Sequence, residues 1–240
     1  MDLSYPELRT ADRILSIAKW FQVPLYLAVL AALYGTFVYA PTEKVMGEVQ
    51  RIFYFHVGVA FNSFAAFFLV FVGGVLYLLT RRTFWDRLAL ASVEIGVLFT
   101  TIVLTTGPIW AKPVWNTWFP WGDPRVMTTL VLWLIYLSYL ILRSSLPEGD
   151  KQYRFCAVFG IIGFIDVPIV WMSIRWWRTI HPVVITREGA NLEPEMLNVL
   201  ILAVVACMLL LVVLVLLRTA MHLNSLVVAR LVQEVEEAGR

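Results

Sequence analysis

The chain has three histidines, and two of them flank a tryptophan-rich stretch. His56 ends the run Gln50-Arg-Ile-Phe-Tyr-Phe-His56, and His181 ends Arg175-Trp-Trp-Arg-Thr-Ile-His181. Between them lies Gly107-Pro-Ile-Trp-Ala-Lys-Pro-Val-Trp-Asn-Thr-Trp-Phe-Pro-Trp-Gly-Asp-Pro-Arg125, which carries Trp110, Trp115, Trp118 and Trp121 with Phe119 among them. Imidazole can ligate a metal, indole can stack on a flat ring, and the nearby Arg51, Lys112, Arg125, Arg175 and Arg178 can meet carboxylates. Two histidines without a nearby cysteine or a clustered third ligand make a poor tetrahedral zinc site. Two further chemistry-bearing residues, Glu94 and Asp166, sit inside apolar runs. An ionisable group at membrane depth is functional by default, and the alternative is a hydrogen-bonded residue that fixes helix packing. At Asp166 the packing alternative has support nearby: Pro168 frees a carbonyl four residues back, and Gly160 and Gly163 allow close approach.

The elements that must position these residues are membrane helices. Sixty per cent of the 240 residues are hydrophobic and 15% are charged, which excludes a disordered chain and a small disulfide scaffold. A net charge of +2 is too small to imply a nucleic-acid partner. Crossing a hydrocarbon core takes about 20 apolar residues. Six such runs are predicted, over residues 23–40, 57–80, 88–106, 126–142, 155–174 and 196–217, with residues 218–240 as a tail. The fold class is therefore an all-α integral membrane protein with one six-span domain and a Trp-rich external loop between helices 3 and 4. The charged residues 1–21 lack the pattern of a cleavable signal, so the first run is expected to stay as a helix. Cys156 and Cys207 lie far apart in apolar runs and read as buried packing residues.

Six spans put both termini on one side. Twelve of the nineteen Lys and Arg fall on that side, in the N-terminal segment, the second and fourth loops and the tail, so it is expected to be cytoplasmic. The other seven are Lys44, Arg51, Lys112, Arg125, Arg175, Arg178 and Arg187, on outer loops over residues 41–56, 107–125 and 175–195. Six of the ten tryptophans share that outer face, while the cytoplasmic side offers Trp20 and Trp85. An aromatic belt should mark both interfaces. Two histidines converging on one aromatic shelf with spare cations suit a flat, apolar, carboxylate-bearing ligand that takes axial imidazole, and haem fits that description. A cytochrome b-like electron carrier usually holds its paired histidines deep in a helix bundle, and here none lies deep. A transporter using Glu94 and Asp166 is expected to have broken spans in matching positions of two halves.

The residue 110–125 segment resembles the tryptophan-rich "WWD" segment of haem-handling proteins, and the two His segments resemble its flanks. Six spans and this length resemble the CcmC type, which serves cytochrome c maturation, over roughly residues 15–220. The match departs from the family pattern at Phe119, where a Trp-Trp pair is usual, and at Gly122, inserted between Trp121 and Asp123. The resemblance implies the following. Haem b is held transiently at the outer face with His56 and His181 as axial ligands. Trp110, Trp115, Trp118, Trp121 and Asp123 form the platform, and Arg51 and Arg125 meet the propionates. The partners implied are the haem chaperone CcmE, the transporter subunits CcmA and CcmB, the small helper CcmD and membrane lipid. The location implied is the bacterial inner membrane, with the haem site periplasmic. The chain has no GxxxxGK[ST] phosphate loop, so ATP use is expected to belong to a partner and the chain is not expected to be an enzyme.

Overall fold

The computed structural model describes residues 5–182, 185–186 and 189–239. Arg187, one of the outer cations, lies outside them. The helices are α1 (Pro6–Tyr34), α2 (Arg51–Thr80), α3 (Thr83–Trp115), α4 (Pro124–Ser145), α5 (Asp150–Gly163), α6 (Asp166–Trp176) and α7 (Pro194–Ala238). With α5 and α6 taken as one span, six segments are long and apolar enough to cross a membrane. A two-residue antiparallel pair, β1 (Ile185–Thr186) with β2 (Gly189–Ala190), leaves the fold all-α.

Local chemistry explains the boundaries. Proline occupies the first turn of α1, α4 and α7, where its missing N–H costs nothing. α2 ends on Arg81 and α3 on Asn116, both left-handed. α1 ends in a π-helical turn over Gly35–Tyr39, and a short 3-10 turn over Glu48–Gln50 leads into α2.

Several elements run past the apolar spans. α3 continues through Pro108 and Pro113 to Trp115, so half of the expected external loop is helix and the connection shortens to residues 116–123. Proline is tolerated in such helices because neighbouring groups satisfy the carbonyls it frees. Span five is two helices rather than one. Phe164 and Ile165 separate them, Ile165 and Val167 bond back only three residues, and Pro168 follows. Proline lacks the N–H and crowds the carbonyl four residues back, which breaks the helix here. Residues 218–238 are no loose tail: they continue α7, which at 1.5 Å per residue is about 68 Å long. This extension packs on the start of α1, where Ala11 and Ile14 meet Ala220 and Leu223 and Arg230 pairs with Glu7 at 2.7 Å.

Lipid is as apolar as a leucine face, so the helices are held by close packing and polar locks. In the centre, the Phe67 and Tyr136 rings stack at 3.9 Å, joining α2 to α4. Gly96 of α3 makes room for that stack. Asn62 of α2 donates to the Val204 carbonyl of α7. Asp86 and Arg143 form a buried bidentate pair between α3 and α4, both bonds 2.7 Å. Arg87 beside it pairs with Glu148. The expectation treated Arg87 and Arg143 as loop charges; both are buried in this network.

Candidate functional site

At the end of the bundle that carries the Trp-rich connection, α2, α3, α4, α6 and α7 line a cavity with an open mouth. His56 and His181 both line it, though 125 positions separate them in sequence. α2 carries His56 in its second turn, and the segment after α6 carries His181.

The tautomer of each imidazole follows from its partner. His56 Nδ1 lies 2.8 Å from Thr106 Oγ1. The Thr106 hydroxyl already donates to the Ile102 carbonyl at 2.7 Å, so its oxygen accepts and His56 Nδ1 carries the proton. His181 Nδ1 lies 3.0 Å from Asp123 Oδ1, and an ionised carboxylate can only accept. In the neutral form of each ring Nε2 is thereby left with its lone pair. A ligating histidine is commonly oriented in this way, its other nitrogen donating to a fixed acceptor.

Asp123 holds this arrangement together. Its Oδ1 accepts the Arg125 and Val126 N–H groups, capping α4. Its Oδ2 accepts from the Thr179 hydroxyl at 2.5 Å and from the Ile180 N–H at 3.1 Å. Burial alone would raise the Asp123 carboxyl. The bonds from His181 and Thr179, the nearby imidazole and the Ile180 N–H outweigh burial and hold it well below the usual carboxylate range.

The other expected site residues divide into two groups. Trp110, Trp115 and Arg125 line the cavity. The Trp115 ring stands edge-on to both Trp110 and His181, at 4.8 and 5.0 Å. Trp110 Nε1 is buried without a hydrogen-bond partner. Trp118, Trp121, Asp123 and Arg51 are not among the lining residues. Trp118 and Trp121 are exposed. Arg51 is committed elsewhere: it pairs with Glu48 at 2.5 Å and donates to the Thr36 carbonyl. Of the remaining outer cations, Lys112 bonds Asn116 at the end of α3, while Arg175 lines the cavity with its guanidinium 5.9 Å from the Trp171 ring. Among the described residues, neither Arg125 nor Arg175 makes an ion pair, and no carboxylate lines the cavity. Two unpaired guanidiniums in an apolar chamber favour a ligand with negative groups. No group of three His, Cys, Asp or Glu that could hold a metal ion by itself occurs among the described residues.

Sequence reasoning missed Thr106, Thr179, Phe61 and Trp171. None carries a local signal, since each matters through a partner brought from a distant helix. The third histidine is far from the cavity. His222 Nε2 and the Arg218 guanidinium both bond Glu94, at 2.9 and 2.5 Å, so Glu94 ties α3 to α7. Asp166 stands at the start of α6, with Oδ2 buried and unpartnered.

The profile of the CcmC family, heme exporter protein C, matches residues 5–233. A cytochrome c biosynthesis ccmC-like mitochondrial protein of Marchantia polymorpha is 34% identical over 167 residues, 69% of this chain and 70% of its own. Heme exporter protein C of Escherichia coli K12 is 30% identical over 196 residues, covering 79% of this chain and 78% of its own. That of Haemophilus influenzae is 30% identical over 207 residues, covering 83% and 84%. With its profile matched almost end to end and its relatives aligned over more than two thirds of both chains, this chain belongs to the CcmC, or heme exporter protein C, family.

Proposed function

We propose that this chain handles haem for cytochrome c maturation, binding it at the outer face and passing it to a haem chaperone. The observation that carries the reading is the pair His56 and His181. Both line one cavity, and each has its Nδ1 proton engaged and its Nε2 free. Two such nitrogens are the axial set a haem iron accepts. Trp110 and Trp115 supply aromatic walls, and Arg125 and Arg175 supply partners for the propionates, in place of the Arg51 that the resemblance implied.

Release is as important as binding in a transfer protein. The cavity is open at its mouth, and His181 is held by a loop segment through Asp123 rather than by a helix. A partner can reach the ring edge there. In this reading the cargo is non-covalent haem b and the acceptor is a CcmE-type chaperone. CcmA and CcmB supply ATP-driven release, and CcmD assists. The site faces the periplasm from a bacterial inner membrane, with both termini cytoplasmic and the chain performing no catalysis of its own.

The test is the absorption spectrum of the purified protein. A Soret band from sub-stoichiometric haem is expected, and His56→Ala and His181→Ala should each shift or diminish it. Normal haem content and spectrum in the double variant would overturn the assignment.

A further inference from the structure

The cavity reaches Ser63 and Phe64, about 18 Å along α2 from its start at 1.5 Å per residue. It therefore extends below the level of the outer loops and between the helices. Its walls differ in how they are closed. α5 packs on α2 and α4, whereas α6 packs mainly on α4, and the change falls at the break over Phe164 and Ile165. At the break, Phe71 and Phe164 stack at 5.0 Å and close the seam. Above it, α2 and α6 diverge and meet through side chains, with the Trp171 ring edge-on to Phe61 at 5.3 Å and to Phe64 at 6.4 Å. These three rings line the cavity and are only partly buried. Phe68, Ile162 and Ile165 beside them are exposed, so this side of the bundle faces its surroundings.

An edge-to-face ring pair is worth about 0.5–1.5 kcal/mol beyond its burial. Turning Phe61 or Trp171 aside therefore opens the seam without moving a helix. Arg175 stands one turn above Trp171 on α6, its guanidinium over that ring. That puts a cation at the upper edge of an apolar slot. A flat apolar ring bearing carboxylates partitions into a bilayer with its acids at headgroup level. It would meet the slot in that orientation.

We infer that the cavity loads sideways from the outer leaflet, through a gate of Phe61 and Trp171 between α2 and α6, with Arg175 receiving the leading carboxylate. The inference rests on the haem-binding reading, and its test separates the two. Phe61→Cys/Trp171→Cys is bridged through two disulfides to a short bis-methanethiosulfonate linker and mixed with phosphatidylcholine vesicles carrying hemin, and growth of the Soret band is timed. Protein without the introduced pair controls for the buried Cys156 and Cys207. The bridged form should load about tenfold more slowly than the same protein reduced with dithiothreitol, as expected when a closed gate limits the rate. Equal rates would overturn the lateral route and send the cargo through the aqueous mouth. A second variant, Phe61→Ala, widens the gate and should load about threefold faster than the unaltered protein; an unchanged or slower rate would also overturn the route. Unaltered protein that develops no Soret band with hemin would instead overturn the haem site itself.

Discussion

One carboxylate, Asp123, caps α4 and also holds Thr179, Ile180 and His181. Asp123→Asn preserves a capping side chain but removes the charge that fixes the His181 proton on Nδ1. Losing an outer partner of a ligating histidine typically costs about 10–100-fold in affinity, and that loss is expected in a hemin titration. Thr106→Val should act in the same direction at His56, with helix content unchanged by circular dichroism. The carboxyl is depressed in the folded state, so its contribution is complete above the ordinary aspartate value of about 3.9 and is lost as pH falls towards the folded value. Thermal unfolding should therefore show an Asp123-dependent loss of stability below about pH 4, absent in Asp123→Ala. Equal acid sensitivity in the two proteins would remove this role. The residue types of the site were legible in the sequence, since His56, His181, Trp110, Trp115 and Arg125 all reach the cavity. Their division of labour was not. Asp123 is 56 positions from Thr179 and 58 from His181, and nothing local distinguishes a positioning carboxylate from a platform member.

At the scale of elements, apolar runs located all six spans but not their ends. Hydropathy reports where lipid begins, whereas a helix stops where its hydrogen bonds stop, so α3 carries Trp110 and Trp115 beyond the oily stretch on a rigid extension. Pro168 was visible as a freed carbonyl, yet the division of span five into α5 and α6 depends on which neighbour each half finds. Packing inside the bundle gives a sharper test. A Cβ on Gly96 would lie 2.5 Å from Phe67 Cε1, and that ring is fully buried and stacked on Tyr136. The ring has nowhere to yield. Gly96→Ala should cost about 1–3 kcal/mol, read as a lower unfolding midpoint in detergent. An unchanged midpoint would mean that α2 and α3 can separate at little cost.

Over the whole molecule, the proposed site and the ionic locks occupy opposite ends. The cavity is apolar, open and lined by two guanidiniums, Arg125 and Arg175, that make no ion pair among the described residues. Away from it, charges are consumed in pairs: Asp86 with Arg143, Arg87 with Glu148, and Glu94 with Arg218 and His222. The positive-inside count placed Arg87 and Arg143 on loops and Arg218 on the tail. Their partners could not be read, because pairing joins residues 57, 61 and 124 positions apart. This separation makes the last prediction discriminating. Asp86→Asn leaves the Arg143 guanidinium, 8% exposed, without its bidentate acceptor. Removing one partner of a buried pair costs about 3–5 kcal/mol, since the remaining charge stays desolvated. The variant should unfold at a distinctly lower temperature, and the second change Arg143→Met should recover much of the loss. Neither residue touches the cavity, so the protein that remains folded should bind hemin with an unaltered Soret position. A shifted Soret band in folded Asp86→Asn would show instead that the ionic end and the outer site are mechanically coupled through α3 and α4.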